Sequence, residues 1–384
     1  MNRPMHEPDD ISLADQADLG TFLQHMVKVG ASDLFLSVGA LPTAKVEGRM
    51  VAVGADPLAP GAVRTMAYSV MTESQIRQFE SSLECDLAIS VGGLGRFRFN
   101  VFPQRGEVSL VARLVKHEVP SLASLHLPAV VAQLALLRQG LVLVVGAAGS
   151  GKSSTLAAML EHRNLTTPGH ILTVEDPIEF LHSHRRCIVD QREVGLDTLS
   201  FHDALRHALR EAPDVIMIGE IRDEETMRHA LRYAETGHLC LSTLHANNAS
   251  QAVERVLHFF PESARRQILL DLSLNLKGVV GQRLIERLEG TRIPAVEIML
   301  RTAFVADLIL RGEIDQLRAA IAKSGPVGMQ TFDQSLFELV QVGKISTQQA
   351  LDHADSRTDL SLRLRLAAGL VPETSGLEIR DAGP

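Results

Sequence analysis

Residues 140–153 read GLVLVVGAAGSGKS. The apolar run Leu141 to Val145, closed by Gly146, reads as a strand buried on both faces, because no polar residue interrupts it. Gly146-Ala147-Ala148-Gly149-Ser150-Gly151-Lys152-Ser153 then fits G-x-x-x-x-G-K-[ST] without a mismatch, and Ser154 to Leu160 reads as a helix. Strand, glycine-rich loop and helix in that order are the context a phosphate-binding loop needs. The glycines let successive N–H groups turn toward a β-phosphate, and the helix N-terminus adds the positive end of its dipole. Lys152 is positioned to reach the β- and γ-phosphates and the Ser153 hydroxyl to hold Mg²⁺, so residues Gly146 to Ser154 form the expected ATP-binding set. A chance glycine turn would not be framed by a buried strand and a helix.

Bulk properties narrow what surrounds this loop. A chain of 384 residues exceeds one ordinary core and implies two or three domains. The net charge of −8 argues against nucleic acid as the main partner, and the absence of Trp leaves few stacking platforms. Cys85, Cys187 and Cys240 are isolated and odd in number, which supports neither a disulfide framework nor a cysteine zinc site and fits a reducing cytoplasm. No apolar run is long enough to span a bilayer, and the first residues, MNRPMHEPDD, are polar and acidic. Membrane association is therefore expected only through a partner.

Working outward, residues 1–17 are expected to be disordered and 18–115 to form an α+β domain with a largely antiparallel sheet. In it, a helix from Asp18 to near Gly30 precedes strands at 33–38 and around a turn at 43–53. A helix at 74–82, a hairpin of 85–91 with 96–102, and a strand at 108–115 follow. Residues 116–128, KHEVPSLASLHLP, have no period and read as a linker. Residues 129–300 alternate helices with short apolar strands, a doubly wound α/β pattern that places ligands at the C-terminal strand ends. Residues 262–280 and 302–355 show helical periodicity, with Ala303, Ala306 and Leu310, then Phe332, Leu336, Leu339 and Val340, as the apolar faces. A helical segment spanning 301–370 and a disordered tail over 371–384 complete the expected layout.

The chemistry-bearing residues follow strand ends. Asp214 to Glu220 is an apolar strand flanked by acids, some sixty residues beyond the phosphate loop. An acid in that position can polarise the attacking water or join the Mg²⁺ shell through water, so Glu220 is the expected general base, with Arg222 in the same cluster. Residues 173–179, TVEDPIE, set Glu175, Asp176 and Glu179 after another strand, and Glu179 is the expected metal- or water-positioning acid. His245, beside Thr243, Asn247 and Asn248 at a strand end, suits a γ-phosphate sensor. His238 and His245 lack a third ligand at metal-binding spacing, so a metal pair is set aside. Arg96-Phe97-Arg98-Phe99-Asn100-Val101 alternates strictly. Its polar face is either a solvated sheet surface or a row of guanidinium groups meeting phosphate or a neighbouring subunit.

The phosphate loop, the acid box VEDPIE (174–179), the carboxylate strand DVIMIGEIRD (214–223) and the histidine box TGHLCLSTLHANNA (236–249) together resemble the secretion-type hexameric ATPases. Within them the chain looks like the type IV pilus retraction ATPases of the PilT/PilU type, over residues 18 to 370. GASDLFLSVGALPTAKVEGRM (30–50) and GRFRFNVFPQR (95–105) are similar to that family's PAS-like N-terminal domain, which precedes a RecA-like core. GMQTFDQSLFELVQVGKIS (328–346) resembles its C-terminal helical segment. Where the retraction branch carries an AIR-type sequence, Phe304 to Glu313 is more similar to the accessory PilU branch. Ala147 and Ala148 stand where a proline and a threonine are usual, a change that should spare binding and alter turnover.

The resemblance implies a cytoplasmic homohexamer that hydrolyses ATP with Mg²⁺. It also implies work on an inner-membrane pilus platform protein beside a PilT-type ATPase, without nucleic acid and without membrane insertion. It makes Arg96, Arg98 and Arg113 the expected contacts of the bound triphosphate, with Arg105 a further one, because arginine from a closing domain stabilises charge on the γ-phosphoryl oxygens. Three other readings are a slow or inactive structural partner, a pilus assembly or type II secretion ATPase, and a DNA-translocating ring. The second lacks its tetracysteine element here, and the third is at odds with the net charge.

Overall fold

The computed structural model describes residues 17–46, 48–115 and 118–368. The expected disorder of residues 1–16 and 371–384, the end of the helical segment at 369–370, and Lys116 and His117 of the linker lie outside the described residues. Two compact units form: the first ends at Val119 and takes in Ile178–His182, and the second comprises Pro120–Pro177 and the chain from Ser183.

The first unit contains α1 (Ala17–Lys28), β1 (Asp33–Ser37), β2 (Thr43–Val46), β3 (Arg49–Ala52), α2 (Ala62–Tyr68), α3 (Glu73–Ser82), β4 (Cys85–Val91), β5 (Gly95–Gln104) and β6 (Glu107–Val115). Its sheet runs β3-β2-β1-β6-β5-β4 and is antiparallel throughout. Alternation decides the faces: Phe97, Phe99 and Val101 turn inward to meet Leu23 and Met26 of α1, Val63 of α2 and Phe79 of α3. α2 carries no expectation from sequence, being seven residues with no sustained period.

The second unit contains α4 (Ala129–Ala135), β7 (Gly140–Val145), α5 (Lys152–Thr166), β8 (Gly169–Glu175), β9 (Cys187–Glu193), α6 (Phe201–Ala208), β10 (Val215–Ile218), α7 (Glu224–Glu235) and β11 (Leu239–Leu244). It continues with α8 (Ala249–His258), α9 (Arg265–Asn275), β12 (Leu276–Glu286), β13 (Arg292–Leu300), α10 (Ala303–Arg311), α11 (Leu317–Lys323), α12 (Phe332–Gln341), α13 (Thr347–Asp352) and α14 (Arg357–Ala367). The sheet order is β13-β12-β7-β11-β10-β8-β9, parallel except for β13, which runs antiparallel to β12. β7 lies inside it and is buried along its whole length. Val142 and Val144 pack with α4 and α5, while Leu141, Leu143 and Val145 join the core that α6 to α9 cover. Burying each such side chain stabilises by about 1.5–3 kcal/mol, which is why an uninterrupted apolar strand ends up in this position.

Two expectations are corrected. The helical reading of 262–280 ends at Asn275, and Leu276 to Val280 begin β12, between β7 and β13. A short apolar run buried on both faces has no period to separate strand from helix. On α10 the face expected from Ala303, Ala306 and Leu310 is the outer one: Ala303 and Leu310 are exposed, and Val305, Leu308 and Ile309 enter the core. The helix AFVADLILR is apolar nearly all round, so its phase is set by packing against α9 rather than by composition. The far ends of β12 and β13 pack through Ile285, Ile293 and Ala295 on Phe332 and Leu336 of α12 and on Leu360 and Leu364 of α14.

Denaturant unfolding should separate the two faces of α10. Ile309→Ala is expected to cost about 2–5 kcal/mol, as a buried large-to-small change does. Leu310→Ala should stay within about 0.5 kcal/mol.

Candidate nucleotide site

Parallel strands all point one way, so the C-terminal ends of β7, β11, β10 and β8 share one edge of the sheet. After β7 the chain turns through Gly146, Gly149 and Gly151, with φ of 156°, 74° and 90°. A Cβ on Gly146 would lie 2.5 Å from the Gln282 carbonyl oxygen, and one on Gly151 would lie 2.8 Å from Gln282 Nε2, so the backbone runs where a side chain has no room. Gly151 caps α5 without offering a side-chain acceptor, which leaves the first N–H groups of a 15-residue helix directed at the loop. Ser150 Oγ is buried with no hydrogen-bond partner in the protein. Lys152 Nζ donates to the carbonyls of Gly146 at 3.0 Å and Ala147 at 2.9 Å, which keeps its charge over the loop.

These features fit a triphosphate: N–H groups at a helix start, a buried hydroxyl without a partner in the protein, and a cation over the loop. Ser153, half-buried in the first turn of α5, supplies the hydroxyl suited to Mg²⁺, and Ser154 follows it in the same turn. Ala147, Ala148 and Gly149 form the exposed crown of the loop. A groove of about 390 Å³ links Gly146 and Ala147 with His245, Asn247 and Gln251.

Glu220 lies two residues beyond β10. Its backbone is held in place by Gly219 N donating to Val174 O (2.8 Å), Thr243 Oγ1 donating to Gly219 O (2.7 Å) and Ile221 N donating to Thr243 O (3.0 Å). The carboxylate is mostly buried and is flanked by two cationic or polar partners. Arg222 contacts Oε1, and His245 Nε2 is 3.4 Å from Oε2. The hydrogen bond to Glu220 pushes the Arg222 guanidinium pKa further up. The structure therefore brings Glu220, Arg222 and His245 together at the same sheet edge as the phosphate loop.

Glu179 is exposed and belongs to the segment Ile178–His182, which groups with the first unit. His238 precedes β11 at the opposite sheet edge, its Nδ1 3.2 Å from Thr236 Oγ1. Asp214, before β10, accepts from His170 N at 2.8 Å. In the first unit, Arg98 pairs in register with Arg113 on the outer face of the sheet, and Arg113 Nε donates to Asp33 Oδ1 at 2.7 Å. Arg96 Nε is buried without a partner, and Arg105, between β5 and β6, adopts φ 51°.

Of the three acids of its box, Glu175 is the buried one, and it accepts from Thr173 Oγ1 (2.7 Å) and Gln191 Nε2 (3.1 Å). One residue escaped the sequence reading. Gln282 of β12 braces the phosphate loop, its Oε1 accepting from buried Thr155 Oγ1 at 2.7 Å. A single polar residue in the apolar run GVVGQRL was the signal available.

A RecA-like parallel sheet carrying this loop and this carboxylate defines a P-loop ATPase, preceded by an α+β domain. Residues 17–302 match the family described as Type II/IV secretion system protein, and the chain belongs to that family and, within it, to the PilT/PilU ATPases. It is 50% identical over 370 residues to the type IV pilus ATPase PilU of Pseudomonas aeruginosa, covering 94% of this chain and 97% of the relative. It is 43% identical over 337 residues to PilT of the same organism, covering 88% and 98%. A crystal structure of the pilus retraction motor PilT with bound ADP superposes with a TM-score of 0.83 at 39% identity, covering 88% of this chain and 98% of that one.

Removing the Lys152 ammonium takes away both its hold on the loop carbonyls and the cation over the phosphates. Lys152→Ala is expected to lose ATP binding and hydrolysis. A fluorescent-nucleotide titration and a phosphate-release assay would check this, and wild-type turnover in the variant would refute the assignment of the loop.

Proposed function

We propose that this ATPase is the subunit of a homohexameric motor of type IV pilus retraction and twitching motility, with hydrolysis coupled to domain closure. The observation that carries the reading is the meeting of Glu220 and His245 at the sheet edge that bears the phosphate loop. ATP is held by the N–H groups of Gly149 to Ser153 and by Lys152. Ser153 would hold Mg²⁺, which would supply charge neutralisation at the phosphates. Glu220 accepts the proton of the attacking water, and His245, whose ring nitrogen faces it, reads the γ-phosphate. Glu179 positions water or the metal shell through water, with buried Glu175 a second acid at the end of β8. Arg96, Arg98 and Arg113 meet the triphosphate when the front domain closes on a core, stabilising the transferred charge only in the closed state.

The platform protein of the pilus machine at the inner face of the cytoplasmic membrane is the proposed object of the force. Among the described residues no helix is long and apolar enough to cross a membrane. Nucleic acid has no part in this reading.

A second reading is favoured by the 50% identity to PilU and by Ala147 and Ala148 in the loop. In it the chain is an accessory partner of a PilT-type ATPase, with little turnover of its own. ATPase rates of the purified protein, alone and mixed with a PilT-type protein, decide between the two. Measurable turnover alone supports the motor, and turnover only in the mixture supports the accessory role.

Glu220→Gln should keep ATP binding and slow hydrolysis by roughly 10²–10⁴-fold, the usual worth of a general base. Equal rates in variant and wild type would place the base elsewhere, with Glu179 and Glu175 the acids to exchange next.

A further inference from the structure

Glu297 is the single acid of the strand segment IPAVEIML, and only 2% of it is exposed. Its Oε1 accepts the backbone N–H of Ala249 at 2.7 Å, across 48 residues of sequence. Ala249 is the first residue of α8, and Asn248, the N-cap, accepts from Gln251 N at 2.8 Å. The helix that follows the histidine box is thus held at its start by two acceptors, one local and one from β13. A carboxylate is the favoured partner there, because the N-terminal N–H groups carry the positive end of the helix dipole.

The other side of Glu297 leads back to the phosphate loop. Glu297 stands opposite Gly281 in the β12–β13 register. A Cβ on Gly281 would approach Phe332 to 3.0 Å and Glu297 Cβ to 3.3 Å, so glycine leaves room for both. The next residue is Gln282, the brace of Gly151 and Thr155. Arg283 then stacks on the Phe332 ring at 3.9 Å and donates to Asp355 Oδ1 at 2.7 Å. Glu297 therefore sits between the strand that braces the phosphate loop and the helix that continues from His245.

We infer that Glu297 is a positioning residue of the ATPase site: by anchoring the first N–H of α8 to β13 it sets the loop His245–Asn248 against Glu220. The inference rests on the roles given above to His245 and Glu220. The charged groups facing Glu297 are Arg283 from β12, Arg318 from α11 and Asp355 before α14, and Arg318 also pairs with Asp333 of α12. Burial is the main cause that raises its carboxyl from the usual 4.5 to about 7; the Ala249 hydrogen bond opposes the shift, Asp355 adds to it, and Arg283 and Arg318 oppose it. A raised folded-state value stabilises the fold fully below pH 4.5, and that contribution is lost as pH rises through about 7.

The test compares Glu297→Gln, which keeps an acceptor, with Glu297→Leu, which keeps volume and removes it. Leu is expected to lower kcat on the order of 10- to 100-fold, as a small misplacement near the chemistry does, with KM for ATP within about twofold. Amide exchange over residues 245–258 should speed up in the same variant. Gln should restore kcat and exchange to near wild type, and its Tm should rise relative to wild type between about pH 5 and about pH 8. Wild-type kcat in the Leu variant, unchanged exchange, or a Tm difference independent of pH would overturn the proposal. Nucleotide binding by the Leu variant, followed by fluorescence, certifies its fold. A parallel His245→Ala with full turnover would instead refute the role of His245, which the exchange measurement does not depend on.

Discussion

The placement of β7 between β11 and β12 is the constraint on which the rest of the site depends. A strand buried on both faces must be apolar throughout, and its parallel neighbour β11 ends level with it, Leu244 opposite Val145. Its successor loop then emerges beside two others. β11 delivers His245 on one side, and β12 delivers Gln282 on the other. The glycines of the loop follow from this crowding, since Gln282 fills the space that Cβ atoms on Gly146 and Gly151 would need.

Charge at the site is arranged in two halves. Lys152 supplies the cation over the loop, held by two backbone carbonyls, and Glu220 supplies the anion one strand beyond β11, held by Arg222 and His245. The hydroxyls of Ser242 and Thr243 donate to the carbonyls of Ile218 and Gly219, so the strand that carries the histidine box also holds the strand that leads to Glu220.

The helices and strands from 129 to 244 were legible because apolar runs of four to six residues alternate with helical periods, and glycine or acid marks each strand end. The antiparallel sheet of the first unit was legible from strict alternation, as in Arg96 to Val101. The site residues Lys152, Ser153, Glu220 and His245 stood out for the same reason: each is a polar group placed where a hydrophobic pattern stops. Gln282, Glu297 and the start of β12 were not legible. Their meaning comes from neighbours remote in sequence, Thr155 and Ala249 among them, and periodicity carries no such information. The face of α10 was misread because a helix that is apolar nearly all round takes its phase from what it packs against.

The central claim is that the Gly146–Ser153 loop and Glu220 form one hydrolytic site. A crystal structure of the full chain with Mg²⁺ and a non-hydrolysable ATP analogue tests it most directly. The account predicts the phosphates on the N–H groups of Gly149 to Ser153, Lys152 Nζ moved from the Gly146 and Ala147 carbonyls onto phosphate oxygens, and the Glu220 carboxylate facing the γ-phosphate. Phosphates bound away from this loop, or Lys152 still on the loop carbonyls with Glu220 turned from the γ-phosphate, would contradict it.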